Sequence, residues 1–93
     1  MSTVLSFHAE QPIYSGMRVL MFATRPDDRL VRCFAAYEAL RDQLNCSDPR
    51  SLTPDQLARV QAQFERLAQL NLYREPTDDH TGVDLVLTNE NWK

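Results

Sequence analysis

Along residues 17–44 the apolar positions change period. MRVLMFAT, residues 17–24, is rich in β-branched and aromatic side chains and predicts a strand. Arg25-Pro26-Asp27-Asp28 predicts a turn, with Pro26 presetting φ at the second position and both aspartates suited to those after it. Residues 29–34 alternate again and predict a second strand, antiparallel to the first. Beyond Phe34 the apolar residues recur every third or fourth position, with Ala36, Leu40 and Leu44 on one face and Tyr37 beside them. That spacing predicts a helix from near Ala35 or Ala36 to about Leu44, although no Ser, Thr, Asp or Asn caps it.

A second helix is better signposted. Thr53 is a cap, Pro54 suits the first helical position, and Gln56 completes a capping box. Leu57, Val60, Phe64, Leu67, Ala68 and Asn71 form its stripe, and it should end near Leu72. Residues 73–82 then predict a polar loop. Residues 83–88 alternate, with Val83, Leu85 and Leu87 opposite Asp84, Val86 and Thr88, and predict a last strand that joins the sheet. Residues 3–9 predict a short first strand, and Gln11-Pro12 and Ser15-Gly16 punctuate the chain between it and the strand at 17–24. Together these describe one α+β domain over residues 1–93: an antiparallel sheet of three or four strands with two helices packed against it.

The hairpin's two faces pose a question. If Arg25 faces Asp28, Leu20, Phe22, Val31 and Cys33 share one face. Val19, Met21, Leu30 and Phe34 share the other, interrupted by Arg32. A solvated hairpin carries one polar face, so this sheet should be covered on both sides or meet another chain. A one-residue slip in the turn would exchange partners across the faces.

Composition narrows the function classes. The chain has 93 residues, 43% hydrophobic and 25% charged, within the range of an ordinary globular domain. Its net charge is −3, and nine of its ten basic residues are arginine. That acidity disfavours nucleic acid as a partner. No apolar run approaches the ~20 residues of a membrane span, and MSTVLSFHAE lacks the basic start and unbroken apolar stretch of a signal peptide. A cytoplasmic location with no membrane association is expected, with Cys33 and Cys46 reduced.

Several residues invite chemistry. Cys33 would need an adjacent base to act as a nucleophile, and His8 and His80 are both far away in sequence. A strand cysteine between Arg32 and Phe34 reads instead as a small core residue. Cys46, after a helix end, reads as exposed and incidental. Asp78, Asp79, His80 and Asp84 carry oxygen and imidazole donors, but their spacing is not that of a calcium loop and a solvated loop is the simpler reading. Arg18, Arg25, Arg29 and Arg32 all lie on the hairpin and could form an anion patch, unless Arg18 and Arg32 point to opposite faces. Glu38 and Asp42, four apart on the first helix, would need a shared cleft for acid–base work. Trp92 should fold back on the sheet or anchor a partner.

VLMFATRPDDRLVRCFAAYEAL resembles the opening of a family of small bacterial proteins, the domain of unknown function numbered 1488, with Phe22, Cys33 and Leu40 in the pattern. FERLAQLNLYRE and GVDLVLTNENW are similar to that family's second helix, loop and final strand, so the likeness covers most of residues 17–92. Ala36 departs from the Ser or Thr often found at the helix-one cap, and the loop from Asn45 to Thr53 also differs. The resemblance implies a small α+β domain of a bacterial cytoplasm and no particular activity.

These readings converge on a non-enzymatic interaction or regulatory module with no catalytic, cofactor or metal site. Its partner would be another protein or a second copy of the chain, as a homodimer, meeting the sheet face near Met21 and Phe34. The alternative is a binder of an anionic small ligand or nucleic acid through the arginine-bearing hairpin 18–32.

Overall fold

The computed structural model describes residues 4–8, 12–75 and 82–92. In chain order the elements are β1 (Ser6–Phe7), β2 (Ile13–Ser15), β3 (Arg18–Thr24), β4 (Leu30–Ala36), α1 (Tyr37–Leu44), α2 (Pro54–Gln69) and β5 (Val83–Leu87). The α+β expectation is borne out. The sheet has five strands rather than three or four, ordered β1-β3-β4-β5, with β2 also pairing β3. All its pairs are antiparallel except β4–β5, which the two intervening helices make parallel.

The central hairpin forms where its pattern places it, but its register is shifted by one residue from a pairing of Arg25 with Asp28. Asp28 N–H donates to the Arg25 carbonyl at 2.9 Å, and Arg25 N–H donates to the Arg29 carbonyl at 2.9 Å. Asp28 sits in the left-handed region at φ 68°. The loop therefore holds three residues, a turn followed by a left-handed residue, and the strands pair Thr24 with Leu30 and Met21 with Cys33. That extra residue rotates the alternation of β4 relative to β3. Val19, Met21 and Ala23 now share a face with Val31, Cys33 and Ala35, and every one of them is buried.

Both helices lie on this face. Leu40 and Leu44 of α1 and Val60, Phe64, Leu67 and Ala68 of α2 join it and the β5 residues Val83, Leu85 and Leu87 in a single apolar core. Fully burying such a side chain contributes about 1.5–3 kcal/mol.

The ends of the helices explain their limits. β4 runs into α1 with Ala36 as an uncapped junction, but Tyr37 N–H, one of the orphan donors of the first turn, donates to the Met17 carbonyl at 3.0 Å. A β3–β4 sheet bond thus stands in for the missing cap. At the other end Asn45 is left-handed, and Cys46 is buried rather than exposed, its Sγ donating to the Leu40 carbonyl at 3.4 Å. α2 begins with the expected capping box of Thr53 and Gln56 and Pro54 in the first turn. It closes with Asn71 N–H on the Ala68 carbonyl and Leu72 N–H on the Leu67 carbonyl, with Asn71 left-handed at φ 57°. These are the two bonds of a Schellman ending.

Two long-range contacts fasten the chain ends. The Glu65 carboxylate on α2 accepts from the backbone N–H groups of both Val4 and Leu5, at 3.1 Å for Leu5. Past β5, Arg66 donates to the Asn91 carbonyl, and Trp92 packs half-buried against the core. The turn-back expected of Trp92 is what the structure shows.

Replacing Asn71 with glycine removes the cost of a left-handed side-chain-bearing residue. Asn71→Gly should raise unfolding stability by about 0.5 kcal/mol, read as a higher urea midpoint at unchanged slope. A lower midpoint would contradict the Schellman assignment.

Candidate functional site

The alternation that buries one sheet face presents the other. Leu20 and Phe22 of β3, Leu30 and Phe34 of β4 and Val86 of β5 point away from both helices and are only half-buried. None of them belongs to the core or packs against it. Ile13, registered with Leu20 at the β2 edge, is 48% exposed. This is an apolar surface with no helix over it among the described residues.

Charged groups are set into it. Arg32 and Asp84 are direct register partners across the parallel β4–β5 pair. Arg32 Nε donates to Asp84 Oδ1 at 2.9 Å and Nη2 to Oδ2 at 3.1 Å, a two-pronged pair. The guanidinium groups of Arg18 and Arg32 lie over the Phe34 ring, 4.6 and 5.6 Å from its centroid. Arg18, Leu20, Arg32 and Phe34 line an open concavity of about 220 Å³. At the far end of the face the His8 ring lies 6.4 Å from Phe22, with Nε2 2.8 Å from Thr24 Oγ1.

The β5 edge beside this face is covered. On the outer side of β5, Asp84 exchanges two backbone bonds with Arg74, at 2.7 and 2.9 Å. Asn91 Nδ2 donates to the Val86 carbonyl at 2.7 Å, and Asn91 Oδ1 accepts from Thr88 N–H at 2.7 Å. A side-chain amide thereby occupies the next backbone positions of the edge. The opposite edge consists of the two short strands β1 and β2. Short or covered edges do not template an incoming strand.

The residues that invited chemistry are scattered over the fold. Cys33 is wholly buried against the helices, and burial, with the nearby Asp84 charge, pushes its thiol up to about 12. It is a core residue. Of the four arginines, Arg18 and Arg32 share the open face instead of opposing each other. Arg25 lies over the Tyr73 ring at 4.6 Å and pairs with Asp27 at 3.4 Å, and Arg29 is exposed in the hairpin turn. The hairpin is therefore not one four-arginine patch. Asp84 is engaged by Arg32, while Asp78, Asp79 and His80 lie outside the described residues. Glu38 is exposed, and Asp42 accepts from Asn89 Nδ2 at 3.0 Å, so the two carboxylates share no cleft. Met21 and Phe34, expected on one contact face, lie on opposite faces. Met21 is only 6% exposed beneath the helices, and Phe34 alone is on the open side.

Sequence reasoning missed three residues here. Asp84 as the partner of Arg32 was legible only once β5 was known to pair parallel with β4. Asn91 at the sheet edge and Glu65 at the N-terminal segment act across 5 and about 60 residues of chain, and no local pattern announces them. No protein-family model, curated protein or solved structure matches the chain. No described helix is long and apolar enough to cross a membrane.

The Cys33 environment has a measurable sign. The folded thiol stays neutral until about pH 12, whereas an unburied one ionises near 9.0. Its burial therefore contributes stability fully below pH 9.0 and loses it as pH rises toward about 12. At neutral pH iodoacetamide should label Cys33 only after denaturation, as read by peptide mass spectrometry. Rapid labelling of the native protein would overturn the core assignment.

Proposed function

We propose that this chain is a non-enzymatic interaction module that docks another protein through the open face of its sheet. The observation that carries this is the half-buried apolar surface of Leu20, Phe22, Leu30, Phe34 and Val86, which no helix and no core residue covers among the described residues. Contiguous exposed apolar surface on a small domain marks an interaction site more often than it marks a defect. Aromatic and arginine side chains together are the types enriched at the centres of such sites. Because the β5 edge is covered and the strands of the opposite edge are short, docking here is face-on rather than by strand addition. The likeness of most of residues 17–92 to the small bacterial family numbered 1488, and a cytoplasmic setting, belong to the same reading.

A paired substitution tests it. A photo-cross-linking benzoylphenylalanine placed at Phe22 should give a discrete protein adduct in cells, and the same group at Glu38 should not. Leu20→Ser and Phe34→Ser should abolish that adduct while leaving the circular dichroism spectrum and cooperative unfolding intact. Met21→Glu, on the other face, should fail to fold. It would bury an uncompensated carboxylate, costing several kcal/mol against a total of about 5–15. Equal cross-linking from both positions, or an adduct indifferent to Leu20→Ser and Phe34→Ser, would defeat the proposal.

A further inference from the structure

The open face has an uneven charge pattern, and it specifies what kind of surface fits there. Among the described positions on that face of β3, β4 and β5, Asp84 is the one carboxylate, and it is held by two hydrogen bonds from Arg32. Arg18, 14 residues earlier in the chain and on the same face, makes no ion pair among the described residues. Its guanidinium rests over Phe34 at the rim of the 220 Å³ concavity, where it is exposed. A guanidinium held over an aromatic ring is already oriented and keeps N–H donors at its edge, so less side-chain freedom is lost when an acceptor arrives.

We infer that the face receives a protein segment that places an acidic side chain on Arg18 beside an apolar side chain in the concavity next to Leu20 and Phe34. This rests on the interaction-module reading and adds the chemistry of the partner. A carboxylate is the group whose geometry matches the paired N–H donors of guanidinium. An apolar neighbour is needed because the same concavity is walled by Leu20 and Phe34. A second copy of the chain fits less well. Face to face it would bring another Arg18 and a carboxylate already engaged by Arg32. A nucleic acid offers anionic oxygens to Arg18 but no aliphatic side chain for the concavity walled by Leu20 and Phe34. The partner is therefore a different protein with an acidic and apolar docking segment.

The experiment is selection of a random heptapeptide library displayed on phage against the intact folded chain, with affinity measurements on the enriched peptides. Peptides bound through the face should lose binding to Phe34→Ser and to Leu20→Ser. Within that set, Asp or Glu next to an aliphatic or aromatic residue should be enriched. Arg18→Gln should weaken those acidic peptides about tenfold, as loss of a charge-assisted hydrogen bond does, and leave neutral peptides unchanged. Peptides that need Phe34 but show no acidic enrichment, or are indifferent to Arg18→Gln, would overturn the carboxylate inference and leave the docking face standing. A chain that sediments as a dimer and is split by Phe34→Ser would overturn it in favour of a second copy. The absence of any peptide whose binding depends on Phe34 or Leu20 would overturn both.

Discussion

The left-handed backbone of Asp28 sets the register on which the rest of the molecule depends. With a three-residue loop at residues 26–28, the β3–β4 pairing matches Val19, Met21 and Ala23 to Ala35, Cys33 and Val31. A two-residue loop would shift β4 by one position and rotate all its side chains to the opposite face. Arg32 would then lie under the helices and Cys33 in the open. Burying an arginine there without Asp84 would cost several kcal/mol, so the helices, the core and the loop demand the same register. The Asp27 carboxylate supports it by accepting from Arg29 N–H at 3.3 Å.

Around that hairpin the structure repeatedly replaces local signals with distant ones. α1 has no capping side chain, yet its first N–H is taken by a carbonyl of the preceding strand pair. Ahead of the short strand β1, the Glu65 carboxylate on α2 receives the backbone donors of Val4 and Leu5. On the outer edge of β5, beyond the Arg74 bridge, Asn91 supplies a side-chain donor and acceptor to the backbone. Each case satisfies backbone polar groups that a small domain would otherwise leave to water or to another chain.

This also accounts for what was legible in the sequence. α2 could be read almost residue by residue because its cap, its proline and its apolar stripe are all local. The two central strands were legible as strands from their composition, and Cys33 as a core residue from its flanks. The register was not, because Asp27 and Asp28 suit either loop length and only the demands of the core choose between them. β2 was missed because Ile13, Tyr14 and Ser15 are too few to show alternation, and the Gly16 turn that brings them back onto β3 is recognisable only with its positive φ in view. The open face was half legible: too many apolar residues for one side of a hairpin were plain, but assigning Met21 to it came from the wrong register.

The open face is not simply an unfinished core. An apolar face left to water invites aggregation, and here it is partly shielded by side chains that are themselves charged. The aliphatic stems of Arg18 and Arg32 cross the apolar surface while their guanidinium groups lie over Phe34 and remain within reach of solvent. The Arg32–Asp84 pair adds a polar seam between Phe34 and Val86 without a net charge of its own. Such a cover can be displaced. Removing it exposes no unsatisfied backbone group, because the sheet beneath is fully paired across β3, β4 and β5. A surface that is stable when wet and apolar when Arg18 moves suits reversible docking better than permanent burial, since the Arg18 guanidinium, once it leaves the Phe34 ring, can turn to the partner that displaced it.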